Sequence, residues 1–228
     1  MRPAAFTWLL LLCSTLTAGE PRESVLRFKQ GDHVASAVAV DLESIPLGAV
    51  GWALTARHVL KRGPVPITLH SYDWSSDGEP EQFHEWPAVV SHVSDRHDLA
   101  LLIVRPGKSA GRWVPAKLAK RTYEYTLADR LRSYGCAGGR DPDEMFCRAV
   151  SHGTTLTVDR DNILGRSGGP LFNTAGYIVG IASTRTVGAW TVTPARVVGR
   201  DSQSITLPAS SDFVPVDGIW SLWSNSRD

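Results

Sequence analysis

Gly165-Arg166-Ser167-Gly168-Gly169-Pro170 is the stretch of this chain that says most about its fold and chemistry. A serine hydroxyl is a weak nucleophile unless a base takes its proton, and histidine is the natural base near neutral pH. Glycines beside such a serine let the backbone turn tightly and approach a substrate closely. The stretch therefore predicts the nucleophile of a hydrolase, provided that a histidine and a carboxylate accompany it.

Two earlier segments supply these partners. Thr55-Ala56-Arg57-His58-Val59 places His58 at the end of an apolar run, and His97-Asp98-Leu99-Ala100-Leu101-Leu102 places Asp98 at the start of another. A carboxylate behind an imidazole fixes the tautomer of the ring and stabilises its protonated form. Histidine, aspartate and serine in this order are the parts of a nucleophilic hydrolase. Asp95 is a second candidate for the carboxylate.

The order of these residues separates two folds that could carry the serine. Gly-x-Ser-x-Gly is also the nucleophile elbow of α/β-hydrolases, in which the catalytic histidine follows the serine. The seven histidines all precede Ser167, at positions 33, 58, 70, 84, 92, 97 and 152. The alternating strands and helices of that fold are missing as well. The elbow interpretation therefore fails.

Short apolar segments separated by turn residues run along the whole body of the chain. One series ends at Val104, and a polar break of turn formers follows at residues 105–111. A second series begins at Arg132 and ends with Ala189–Val192. Many short strands over this length predict an all-β barrel or sandwich, and each half is large enough to close a small barrel.

On these motifs the chain resembles the trypsin-like (chymotrypsin-fold) serine proteases, and it looks closest to the bacterial group that includes the HtrA/Deg protease domains. The segments around His58, Asp98 and Ser167 are similar to the family patterns T-A-x-H-V, D-L-A-L-L and G-[ND]-S-G-G-P-L. Val179-Gly180-Ile181-Ala182-Ser183 resembles the strand that lines the substrate cleft. The resemblance implies two six-stranded antiparallel barrels, an active site in the cleft between them and a short C-terminal helix.

The resemblance also implies a role for each residue of the site. His58 is the expected general base, Ser167 the nucleophile, and Asp98 the orienting acid, because the family pattern places that acid directly before Leu-Ala-Leu-Leu. The amides of Gly165 and Ser167 are expected to form the oxyanion hole. The implied function is that of a serine endopeptidase that cleaves polypeptides through an acyl-enzyme, without cofactor or metal.

Four residues are candidates for determining which side chain the enzyme accepts at P1. Asp161 stands six residues before Ser167, where trypsin-like enzymes place the carboxylate that selects lysine or arginine at P1. Asp159 instead matches an aspartate that the HtrA group carries in this loop. Ser183 belongs to the expected cleft wall, and Arg185 beyond it could narrow the pocket, cancel the charge of Asp161 or favour acidic P1 residues.

Arg166 departs from the family pattern. Many animal relatives have an aspartate immediately before the serine, which pairs with a new N-terminus after activation cleavage. Arginine cannot make that pair, so we expect no activation by N-terminal insertion. If Arg166 and Arg185 blocked the cleft, the fold would instead serve as a catalytically silent binding protein, and an esterase is a lesser alternative.

The N-terminal 19 residues are expected to be a secretory signal peptide. Arg2 gives a positive start, residues 6–12 are apolar, and Thr17-Ala18-Gly19 offers small residues for cleavage. A retained anchor is the alternative. The expected location is secreted or periplasmic, with no membrane span after cleavage.

The remaining residues, 20–228, are assigned to one protease domain. We place the N-terminal barrel at about 24–105, the C-terminal barrel at about 113–200 and a tail at 201–228, where Trp220 and Trp223 would share a helix face. No PDZ module is expected after it.

Two further expectations concern the cysteines and the charge. Cys136 and Cys147 flank a run of turn formers, so we expect a hairpin closed by a disulfide, with two free thiols as the alternative. Two cysteines without a histidine between them give little support for zinc. The net charge is +1, from 24 basic and 23 acidic residues, which argues against nucleic acid as the main partner.

Overall fold

Short strands make up nearly all the regular structure in the computed structural model, which describes residues 20–108, 111–126, 129–160, 163–185, 190–192, 205–207 and 210–226. Specificity candidate Asp161 and the predicted signal peptide (1–19) lie outside these residues. The described strands form two closed barrels followed by one α-helix. The predicted all-β fold of two antiparallel barrels with a short C-terminal helix is therefore confirmed.

The first barrel contains six antiparallel strands in the order β1-β4-β5-β6-β3-β2, and β2 pairs with β1 to close the ring. A short seventh strand, β7, lies parallel to β2 outside the ring. The strands are β1 (Val25–Gln30), β2 (His33–Asp41), β3 (Gly51–Thr55), β4 (Ile67–Trp74), β5 (Pro80–Val93), β6 (Ala100–Val104) and β7 (Ala116–Lys117).

Strand β2 shows why the sequence here is apolar at successive positions. Ala35, Ala37 and Ala39 point into the first barrel, where they pack with residues such as Phe28. Val38 and Val40, on the opposite face of the strand, belong to the core that continues into the second barrel. Because side chains alternate between the faces of a strand, a strand buried on both faces reads as a continuous apolar run. This arrangement joins the two barrels through one shared core.

The second barrel closes in the order β10-β15-β12-β11-β8-β9. Its sixth strand, β15, lies beyond residue 200, in the segment assigned above to the tail, and the segment Ala189–Val192 supplies a strand of a separate two-stranded ribbon, β13–β14. The strands are β8 (Arg130–Gly135), β9 (Asp143–His152), β10 (Leu156–Val158), β11 (Pro170–Phe172), β12 (Ile178–Arg185), β13 (Trp190–Val192), β14 (Ile205–Leu207) and β15 (Ser211–Pro215).

The C-terminal helix α1 (Val216–Asn225) packs its apolar side on both barrels. Ile219 and Trp223 are buried, and the Trp223 ring meets Trp52 of β3 edge to face at 5.4 Å. The Trp220 indole donates a hydrogen bond of 2.9 Å to the Ala119 carbonyl. No helix among the described residues combines the length and apolar character needed to span a bilayer.

The predicted disulfide between Cys136 and Cys147 is wrong. Both thiols are free and buried. The hairpin of β8 and β9 pairs Gly135 with Asp143 and Leu131 with Cys147, so Cys147 lies opposite a residue five positions before Cys136. At about 3.3 Å per residue the two cysteines are about 16 Å apart along the hairpin, far beyond the reach of a disulfide.

Candidate active site

His58 and Asp98 meet at the edge of the first barrel. His58 lies in a single 3-10 turn that follows β3, and Asp98 lies just before β6, which is the neighbour of β3 in the sheet. The His58 Nδ1 is 2.6 Å from the Asp98 Oδ2, and the His58 backbone amide donates to the Asp98 Oδ1 at 2.9 Å. The carboxylate therefore holds both the ring and the backbone of the histidine. Asp95, the other candidate acid, is exposed.

The loop that carries Asp98 is fixed by its own hydrogen bonds. The Ser94 hydroxyl accepts from the His97 amide at 3.0 Å, and the Leu99 amide donates to the His97 carbonyl at 2.8 Å, which makes a tight turn around Asp98. Arg57, next to His58, donates a hydrogen bond of 3.0 Å to the Ser94 carbonyl. The two loops are thus tied together independently of the His58–Asp98 contact.

This contact shifts the pKa of both groups. The hydrogen bond from Asp98 raises the pKa of His58, the partial burial of the ring opposes this shift, and the charge of Asp98 adds to it. Burial alone would raise the pKa of Asp98, but hydrogen bonds from His58 and from the Ser183 hydroxyl outweigh it and leave that pKa lowered. The pair therefore favours an ionised carboxylate beside an imidazole that is more basic than usual, which suits a general base.

Ser167 comes from the second barrel, in the loop that precedes β11. Its hydroxyl points toward the Ser183 carbonyl, at 3.5 Å, and makes no hydrogen bond to His58 among the described residues. The Ser183 hydroxyl in turn donates to the Asp98 Oδ2 at 2.7 Å. One residue of β12 therefore contacts both Asp98 and Ser167, which brings together three residues that lie far apart in the sequence. Catalytic hydrogen bonds are often long in a free enzyme and tighten when substrate binds.

Two backbone amides of the Ser167 loop have no acceptor within the described part of the chain, and hydrogen bonds to the carbonyls of their own peptide groups set their direction. The Leu164 carbonyl accepts from the Gly138 amide at 2.6 Å, and the Arg166 carbonyl accepts from the Gly169 amide at 2.9 Å. In a planar trans peptide the N–H points opposite to the carbonyl, so each bond directs the next amide the other way. The two next amides belong to Gly165 and Ser167, and neither donates to a group within the described part of the chain. Free, fixed N–H groups beside a nucleophile can stabilise a developing oxyanion.

Gly165 has no room for a side chain. Its φ is +97°, a region that L residues rarely adopt, and a Cβ there would stand 2.3 Å from the Cys136 carbonyl oxygen. Gly168 has a φ of +85°, and its Cβ would meet the Ser36 carbonyl oxygen at 2.2 Å. Gly165 and Gly168 are thus required by close backbone contacts as well as by their conformation.

Ser36 of β2 joins the first barrel to the Ser167 loop and was missed in the sequence. Its hydroxyl donates to the Gly165 carbonyl and accepts from the Cys136 amide, both at 2.8 Å. Its amide donates to the Ser167 carbonyl at 2.9 Å, and its carbonyl accepts from the Thr55 hydroxyl at 2.7 Å. The one available signal is a serine inside an apolar strand, because a buried hydroxyl needs partners.

Arg166 does not block the cleft, which corrects one premise of the binding-protein alternative. Its side chain is buried beneath the loop, where it donates to the Asp143 carboxylate and to the Ser133 carbonyl at 2.9 Å. Burial lowers the pKa of this guanidinium, and the charge of Asp143 opposes that shift.

The structure describes the four specificity candidates to different extents. Asp161 lies outside the described residues, and Arg185 is described only by its backbone, which pairs with Ser211 at the end of β12. Asp159 accepts a hydrogen bond of 2.7 Å from the Arg148 amide, so it ties β10 to β9. Ser183, expected as a cleft-wall residue, donates a hydrogen bond to Asp98 through its hydroxyl.

In the described ranges no group of three or more His, Cys, Asp or Glu side chains is placed to bind a metal.

Comparison with known proteins gives a family match and structural neighbours. The model of the trypsin-like peptidase domain matches residues 35–181. No curated protein matches the chain. A serine endoprotease from Yersinia pestis superposes with a TM-score of 0.62 at 16% identity over 91% of this chain, which spans only 64% of that protein.

A second structural neighbour is similar over its whole length. An inactive-form mutant of Rv3671c from M. tuberculosis H37Rv has a TM-score of 0.61 at 14% identity and covers 100% of this chain and 97% of its own. At such identities the likeness to both structures concerns the fold.

Proposed function

This chain belongs to the trypsin-like peptidase family, and from that premise we propose that it is a serine endopeptidase with His58, Asp98 and Ser167 as its catalytic triad. The observation that carries the proposal is the pair of contacts made by Ser183. Its hydroxyl holds Asp98 at 2.7 Å while its carbonyl lies 3.5 Å from the Ser167 hydroxyl. With His58 2.6 Å from Asp98, these contacts support a single site for base, acid and nucleophile.

The proposed reaction assigns one step to each of these residues. The Ser167 Oγ attacks the carbonyl carbon of the scissile peptide bond, and its proton passes to the His58 Nε2. The oxyanion of the tetrahedral intermediate accepts hydrogen bonds from the amides of Gly165 and Ser167. As the C–N bond breaks, His58 gives the proton to the leaving amine and an acyl-enzyme remains. Water, deprotonated by His58, then attacks the ester carbonyl carbon, and the Ser167 Oγ leaves and takes the proton back from His58 as the acid is released.

Asp98 has an electrostatic task in both steps. It accepts the Nδ1–H of His58, so the Nε2 of the neutral ring is the free base. When His58 takes the Ser167 proton, the ionised carboxylate stabilises the imidazolium. The raised pKa of His58 and the lowered pKa of Asp98 both support this role.

Digestion of an unfolded protein tests the proposal. Purified protein covering residues 20–228 is incubated with fluorogenic casein, and internal fragments are identified by mass spectrometry. We expect endoproteolytic fragments from the wild type and none from Ser167→Ala, because removal of the nucleophile of a triad costs on the order of 10⁶ in turnover. Equal, low fluorescence from both proteins, with the casein intact, would contradict peptidase function and favour a binding protein.

The P1 preference is a separate proposal. If Asp161 lies at the base of the pocket, cleavage occurs after lysine and arginine, and Asp161→Ser abolishes that preference. A peptide library read by mass spectrometry measures it directly. Basic P1 preference that survives Asp161→Ser would refute the role of this residue.

Export is the last part of the proposal. The apolar segment 6–12 and the small residues 17–19 support a cleaved signal peptide. Sequencing the N-terminus of protein recovered from outside the producing cells tests this. A start at residue 19 or 20 is expected, whereas an intact Met1 on membrane-bound protein would favour the retained anchor.

A further inference from the structure

Arg166 places a buried positive charge directly beside the nucleophile. Its side chain is 2% exposed, and the carboxylate that pairs with it, Asp143, is 51% exposed. The Nε finds no partner within the described residues. A buried ion pair is costly to desolvate, and an apolar side chain of similar volume often gives equal or greater stability. Fold stability alone therefore does not explain this arginine, so the segments that its side chain joins have to be considered.

Both partners of the Arg166 guanidinium belong to one hairpin. Ser133 lies in β8, and Asp143 is the first residue of β9. The tip between these strands is the part of the chain that fixes the Gly165 amide: Gly138 donates to the Leu164 carbonyl, and the Cys136 carbonyl packs against the Cα of Gly165. The hairpin therefore contacts the Ser167 loop through the Arg166 side chain as well as through backbone contacts, among them the peptide that precedes Gly165.

We propose that the Arg166–Asp143 ion pair is a positioning element that holds the tip of the β8–β9 hairpin against the Ser167 loop and thereby keeps the Gly165 amide aimed at the oxyanion. Arg166 touches no substrate and acts through the loop. The inference rests on the proposed function, because an oxyanion forms only if Ser167 attacks a carbonyl. Its consequence is a defect confined to the transition state, since the amide that it orients donates to a negatively charged oxygen only there.

This positioning depends on the charge of the Arg166 side chain rather than on its shape. Without its negative partner, the Arg166 guanidinium is an uncompensated buried cation, which is drawn toward water and takes the loop with it. The opening beside Asp143 also offers room for a longer side chain, because that carboxylate is half-exposed. Exchange of the two charges, with arginine at 143 and aspartate at 166, should therefore restore part of what each single exchange removes, although the Ser133 carbonyl stays without its donor.

The test compares Arg166→Met, Asp143→Asn, Arg166→Asp, Asp143→Arg and the double exchange on a peptide substrate. We expect the single variants to lose about 10- to 100-fold in kcat, less than or equal to the loss of one oxyanion donor, with KM within about twofold of the wild type. The double exchange should recover at least about tenfold over Arg166→Asp, as coupled residues do. The matched control is Arg132→Met, which removes the arginine of the Arg132–Glu144 pair in the same hairpin and should leave kcat unchanged.

A second readout separates positioning from a merely structural role. A peptide aldehyde forms a hemiacetal with Ser167 and places an oxyanion at the two amides, whereas the matching product peptide does not. Aldehyde affinity should weaken by the same factor as kcat, with product affinity unchanged. If Arg166→Met does not fold, Asp143→Asn decides, because it alters only a half-exposed side chain.

Two results would overturn the inference alone: folded variants with wild-type kcat, or aldehyde affinity that does not follow kcat. A wild-type protein without turnover would overturn the proposed function and this inference with it.

Discussion

Gly165→Ala should disable the oxyanion hole while leaving the triad in place. The new Cβ would stand 2.3 Å from the Cys136 carbonyl oxygen and 3.0 and 3.1 Å from the amide nitrogens of Gly139 and Gly138. All three atoms are backbone, so no side chain can rotate away, and the peptide before residue 165 must move. The positive φ of +97° adds a strain of about 1–2 kcal/mol. Loss of one oxyanion donor lowers kcat by about 10²–10³.

The matched control is Gly63→Ala. Gly63 has almost the same φ, +95°, but a Cβ there meets no atom within 4 Å. The control therefore carries the backbone strain without the displacement. Steady-state kinetics on one peptide substrate, with circular dichroism to verify folding, compares the two variants. A folded Gly165→Ala protein with a kcat within twofold of Gly63→Ala would refute the assignment of the Gly165 amide as an oxyanion donor.

Three further predictions follow from the site and the core. Asp98→Asn should lower kcat by about 10⁴. It should also move the acidic limb of the kcat/KM profile to lower pH, because activity rises as His58 loses its proton and this change weakens the hydrogen bond that raises the pKa of His58. An acidic limb that stays in place would contradict this. Ser183→Ala removes a hydrogen bond to the Asp98 carboxylate, worth roughly 1.5–3 kcal/mol. The kcat should therefore fall by about tenfold or more in the same assay, whereas a wild-type kcat would show that Ser183 does not support Asp98. Cys136 and Cys147 should react with a thiol reagent only after denaturation, because burial raises the pKa of both to about 12; a mass of the intact protein two hydrogens below that of the reduced chain would instead reveal a disulfide.

The three residues of the proposed triad could be picked out in the sequence because they stand next to apolar runs and in motifs similar to those of the family. His58 follows β3, Asp98 precedes β6 and Ser167 precedes β11, and apolar runs in the sequence mark all three strands. The same runs predict an all-β barrel or sandwich, and the resemblance to the family narrows this prediction to two barrels. What these patterns predict is position along the chain and the type of chemistry.

Register and side-chain direction were not accessible in this way. The turn formers between Cys136 and Cys147 correctly indicate a hairpin, but only the register shows that Cys147 faces Leu131. Ser211–Pro215 is short and begins with polar residues, so nothing local distinguishes β15 from the tail, although its pairing with β12 and β10 closes the barrel.

The second gap concerns residues that act through contacts distant in sequence. From the sequence alone, Arg166 could face the cleft. Its burial depends on Asp143, an acceptor in the β8–β9 hairpin. Ser36 lies 129 positions before Gly165, and its hydroxyl shows its purpose only once the two barrels meet. Tertiary packing decides such contacts, so no pattern along the chain predicts them.

Covalent labelling tests the central claim most directly. Folded protein covering residues 20–228 is treated with a fluorophosphonate probe, digested and mapped by mass spectrometry. The account predicts one adduct, on Ser167, in the wild type, no adduct in Ser167→Ala and strongly slowed labelling in His58→Ala, because the serine reacts only when His58 takes its proton. Absence of labelling in the folded wild type, or an adduct on another residue, would contradict the assignment of Ser167 as an activated nucleophile.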